Sequence, residues 1–76
     1  MATQIADAVL HIDEELEKWQ RDVLDDHMRL QRGVLTSGSI NDNPHIMFIQ
    51  YYPEHTEAVN LIRMVNRHGY HAARIS

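Results

Sequence analysis

Six histidines, at positions 11, 27, 45, 55, 68 and 71, stand out in a 76-residue chain that has no cysteine. Neutral imidazole binds zinc, nickel and copper well, and carboxylates such as Asp13 and Glu14 suit the same borderline or harder ions. In the stretch His11-Ile12-Asp13-Glu14-Glu15-Leu16 the two kinds of donor stand side by side. Thiolate ligation and disulfides are excluded by composition alone. The histidines also govern the charge. Their unperturbed pKa is about 6.5, so protonating all six would carry the chain from a formal −4 to +2.

Other chemistries find less support. Ser37 and Ser39 lie in a weak strand pattern with no serine–histidine–aspartate arrangement, and Gly33, Gly38 and Gly69 form no phosphate loop, so no enzyme is expected. Seven basic against eleven acidic side chains disfavour a grip on a phosphate backbone, and no nucleic-acid partner is expected. A hydrophobic fraction of 43% and a charged fraction of 24% fit an ordinary globular chain, with no apolar run long enough to span a membrane. No basic-then-apolar leader is visible, and a cytoplasmic location is the default expectation. The length implies one domain over residues 1–76, ordered from about 8 to 75.

The elements that must position the histidines follow from periodicity. Ala8, Leu10 and Ile12 alternate with Val9 and His11 as in a strand. Asp13 is a candidate helix cap, Glu14 and Glu15 suit the positive end of a helix dipole, and Leu16, Trp19, Val23 and Leu30 recur at helical spacing. That helix is expected to reach about Arg32, where Gly33 supplies a left-handed residue. Residues 34–40 read as a weaker strand, Asn41-Asp42-Asn43-Pro44 as a turn, and 45–52 as the strongest strand, stopped by Pro53. After a Thr56 cap, Ala58, Leu61, Ile62 and Val65 form a helical stripe that Gly69 ends, and residues 70–75 make a last strand. The fold class is α+β, a ferredoxin-like βαββαβ sandwich. With right-handed crossovers the antiparallel sheet has the order 4-1-3-2, two helices cover one face, and the other face is open.

Gly33-Val34 after the first helix, Tyr51-Tyr52-Pro53 and Gly69-Tyr70-His71-Ala72 resemble the heavy-metal-associated domain over residues 8–75. That family comprises ferredoxin-like modules found in copper chaperones and at the cytosolic end of metal-pumping ATPases, and often has Tyr-Asp-Pro where this chain has Tyr51-Tyr52-Pro53. Its Cys-x-x-Cys loop lies between the first strand and first helix. Here Ile12-Asp13-Glu14-Glu15-Leu16 takes that place, so the resemblance implies architecture and carries over no ligand. Cu(I) transfer by thiolate exchange is excluded.

In this topology the end of the first strand lies beside the starts of the third and fourth, which gathers His11, His45, His68 and His71 at one end. Asp13, Glu14 and Asp42 are candidate companions there, while Asp7, His27 and His55 are expected at the far end. If a divalent transition metal such as Zn, Ni or Cu binds, His68 and His71 with His11 or His45, backed by Asp13 or Glu14, are the expected ligands of an open, weak site. The competing reading is solvated surface histidines. His68 at a helix C-terminus is explained by the dipole, His27 by a partly buried hydrogen-bonded role, and the carboxylates by capping. Trp19 and the four methionines read as core filler. A second functional class is a protein-interaction module. Val9, Ile46 and Phe48, with His11 beside them, would form an apolar patch on the open face, suited to a protein partner or a homodimer. An RNA-recognition module shares the strand order, but Phe48 is the sole firm aromatic on that face.

Overall fold

The computed structural model describes residues 4–39 and 43–76. In chain order the elements are β1 (Ala6–Ile12), α1 (Lys18–Arg29), β2 (Val34–Ser39), β3 (Ile46–Tyr51), α2 (Ala58–Arg67) and β4 (Ala72–Arg74). The four strands form one antiparallel sheet in the order β2-β3-β1-β4, the expected 4-1-3-2 arrangement. Ile40, Asn41 and Asp42, and with them the end of the expected second strand and most of the expected turn, lie outside the described residues.

The period-two pattern decides the faces. Ala6, Ala8 and Leu10 stand opposite Tyr51, Ile49 and Met47, and all but the partly covered Ala6 are buried. Leu24 and Met28 of α1 and Ala58, Leu61, Met64 and Val65 of α2 close over this side. The intervening pairs Asp7–Gln50, Val9–Phe48 and His11–Ile46 occupy the opposite, open side.

The first helix departs from expectation in start and phase. It begins at Lys18, where Glu17 and Gln20 form a capping box and the Glu17 backbone N–H donates to Gln20 Oε1 at 2.8 Å. Asp13 therefore caps nothing, and Glu14 and Glu15 precede the helix. Leu16 is buried from the connecting loop, which frees the helix to turn Leu24 and Met28 inward, four residues apart. Trp19, Val23 and Leu30, expected on the buried stripe, are exposed at 62%, 43% and 81%. The second helix keeps its expected stripe, but its cap residue is Glu57, not Thr56. Thr56 instead closes a turn, donating its N–H to the Tyr52 carbonyl at 3.2 Å.

Two glycines adopt left-handed backbone. Gly69 follows the α2 cap residue His68 with φ of 92°, as a helix-ending glycine does. Gly33 has φ of 89°, and its carbonyl accepts the Tyr52 N–H at 2.7 Å. A Cβ there would lie 2.9 Å from His55 Cβ and 3.0 Å from Thr56 Cγ2. Only glycine lets the two connections pass so closely.

Candidate functional site: histidines at the β1–α1 end

His11 is the penultimate residue of β1, opposite Ile46 on the open side. Its Nδ1 lies 3.4 Å from Asp13 Oδ1. His45 lies just before β3, so strand alternation does not bind it to the core side that its parity with Met47 and Ile49 suggests. Its ring stacks on that of His11, with centroids 5.6 Å apart and planes within 10°. His45 Nδ1 is 2.8 Å from the Ile12 carbonyl oxygen. A carbonyl only accepts, so Nδ1 donates the proton, and in the neutral ring Nε2 carries the lone pair.

The same logic holds at His71. Glu14 reaches from the β1–α1 loop to accept the His71 backbone N–H at 2.7 Å and its Nδ1–H at 2.6 Å. The Asp13 N–H in turn donates to the His71 carbonyl at 2.9 Å, tying the two loops together. The His71 backbone N–H, and after it the imidazole, hold the Glu14 carboxyl down at about 2. The hydrogen bond to Glu14, then that carboxylate's charge, raises the His71 pKa, and Asp13 adds to the effect.

His68 does not join this group. It turns to His27, whose Nδ1 lies 3.1 Å from His68 Nε2. His27 is thus neither remote from His68 nor partly buried, but exposed and in contact with it. The exposed α1 phase explains the difference, since it puts His27 on the outward side with Trp19 and Val23. His55 stays apart, edge-on to the Tyr52 ring. Among the described residues no three histidine, aspartate or glutamate side chains gather as a metal-holding group. Asp42 is outside the described residues. Asp13 and Glu14, expected as ligands, face imidazole nitrogens instead.

On the open face Val9 and Phe48 are directly paired and half-buried, next to half-buried Ile46. The exposed Ile75 extends this surface from beyond β4, its N–H donating to the Val9 carbonyl at 2.8 Å. A further polar group went unread in the sequence. The buried Ser37 hydroxyl donates to Asp25 Oδ1 at 2.7 Å, and Arg29 donates to the Ser37 carbonyl at 2.8 Å. Burial raises the Asp25 pKa against the opposing pull of the Ser37 hydroxyl and Arg29. The four-residue Asp25–Arg29 spacing was visible, but the strand that closes the group comes from elsewhere in the chain.

No family model and no curated protein matches this chain. Solved structures do. Oxidized MerP from Ralstonia metallidurans superposes with a TM-score of 0.83 at 10% identity, covering 96% of this chain and 100% of that one. A copper binding domain from HMA7, a P-type ATPase, gives 0.80 at 8% identity over 92% and 93% of the two chains. The yeast copper transporter domain Ccc2A, known in apo and Cu(I)-loaded states, gives 0.80 at 11% identity over 92% and 94%. The chain therefore has the ferredoxin-like fold of heavy-metal-associated domains, built without a cysteine.

Proposed function

We propose that this chain is a non-enzymatic binding module that takes a divalent transition metal ion, Zn, Ni or Cu(II), through imidazole at the β1–α1 end. The observation that carries the reading is the orientation of the rings. His45 and His71 each commit Nδ1–H to a fixed oxygen, the Ile12 carbonyl and the Glu14 carboxylate, and His11 Nδ1 approaches Asp13. Metal-binding histidines are held in this way, with one nitrogen donating to a carbonyl or carboxylate and the other left for the ion. Asp13 and Glu14 then position the rings, and the Nε2 atoms of His11, His45 and His71 are the proposed donors, engaged one or two at a time because among the described residues no three such side chains gather around one point. The donor set fits borderline divalent ions and not Cu(I), for which the copper-named structural neighbours supply precedent in fold alone. The ion's remaining positions stay unfilled by side chains, so the site is open and weak, with room for water or a partner's ligand.

Calorimetric titration of Zn(II) tests this. In a His68→Gln background, which removes the His27–His68 contact, the chain binds saturably, and adding His11→Ala, His45→Ala and His71→Ala removes that binding with the circular dichroism unchanged. Equal affinity after that addition would refute the ligand assignment.

The directly paired Val9 and Phe48 favour a second reading, a protein partner or second copy docked on the open face. Sedimentation decides its homodimer form: wild type associates and Phe48→Glu does not, whereas a wild type that stays monomeric at millimolar concentration would end it.

A further inference from the structure

The contact between His27 and His68 plays no part in the β1–α1 end. His27 lies in the last turn of α1, and His68 is the cap residue of α2. Their rings approach with centroids 4.8 Å apart and planes tilted by 41°, and the facing nitrogens, Nδ1 of His27 and Nε2 of His68, are 3.1 Å apart. Two neutral imidazoles this close hold one proton between them. The same spacing suits two neighbouring ligands of one metal ion, because bonds of about 2.0–2.1 Å at right or tetrahedral angles put the nitrogens about 2.9–3.4 Å apart.

The surroundings favour a cation. Both histidines stand at helix C-termini, where the backbone carbonyls carry the negative end of the dipole. Two bases share these last turns: Arg29 is engaged with Asp26 and the Ser37 carbonyl, and the exposed Arg67 precedes His68 in α2. His27 is exposed and His68 half-buried, so an ion can enter from solvent.

We infer that His27 and His68 form a second, two-histidine site for a divalent transition metal ion, joining the ends of α1 and α2. It goes beyond the proposed function, uses none of its ligands, and stands or falls separately. A bound ion would link two helices and raise the thermal midpoint of the folded chain. Zn(II) alone is the probe, titrated into the full chain at neutral pH while imidazole nitrogen resonances and the thermal midpoint are followed, with His55 as the internal control. The expected result is a joint, saturable response of His27 Nδ1 and His68 Nε2. In His68→Gln the His27 response disappears, in His27→Gln the His68 response disappears, and in both the part of the midpoint rise due to this pair is lost. The inference is overturned if neither ring responds, if each still responds after the other is replaced, or if both respond only as weakly as His55. Behaviour at His11, His45 and His71 reports separately on the β1–α1 end.

Discussion

Glu14 accepts two hydrogen bonds from His71, and the charges on the pair make the loop contact depend on pH. The carboxyl, ordinarily near 4.5, is lowered to about 2, so its contribution is complete above 4.5 and lost as the pH falls toward 2. The imidazole is raised from 6.5, so its contribution is complete below 6.5 and lost as the pH rises through the raised value. The stability difference between wild type and Glu14→Gln is therefore expected to be largest between 4.5 and 6.5 and to shrink on either side. Denaturant melts across that range check this, and a difference that keeps growing above 6.5 would contradict it. Ser37 offers a test independent of the histidines. Ser37→Ala removes a donor from the half-buried Asp25 carboxylate and is expected to cost about 1–3 kcal/mol in urea unfolding. The residue types at the loop end were legible in the sequence, and their roles were not. Asp13 and Glu14 looked like caps or ligands because sequence spacing does not reveal that the α2–β4 connection folds back against them.

At the scale of elements, strands were easier to read than the first helix. The alternation of Ala8, Leu10 and Ile12 against Val9 and His11 admits one face assignment, and the register confirms it. Residues 16 to 30 admit two, because Leu16, Trp19, Val23 and Leu30 match a helical spacing as well as Leu24 and Met28 do. The start at Lys18 decides between them, and the Glu17–Gln20 capping box that marks this start lacks the usual serine or threonine. Two substitutions test the adopted phase. Leu24→Ala is expected to cost about 2–5 kcal/mol as a core truncation, and Val23→Ala to stay within about 0.5 kcal/mol as a surface change. Reversed magnitudes in denaturant melts would restore the expected stripe. The sheet makes a matching prediction. Phe48→Glu on the open side leaves the circular dichroism spectrum intact, whereas unfolding would mean that the faces are inverted.

The whole molecule is expected to hold its shape without a metal. Leu10, Leu24, Met28, Ile49, Leu61 and Val65 are fully buried in one core shared by both helices and the sheet, and hydrophobic burial of this kind is the main favourable term in folding. The apo chain is thus expected to give a folded circular dichroism spectrum, and one that appears only on adding zinc would contradict this. With the scaffold already formed, a bound ion acts on the rings at its edge. The most direct test is the long-range nitrogen–proton spectrum of the imidazoles, recorded with and without stoichiometric Zn(II) at neutral pH. The Nε2 resonances of His11, His45 and His71 are expected to move saturably while the Nδ1 protons of His45 and His71 stay engaged and His55 is unmoved. No response at those three rings, or a response equal to that of His55, would contradict it.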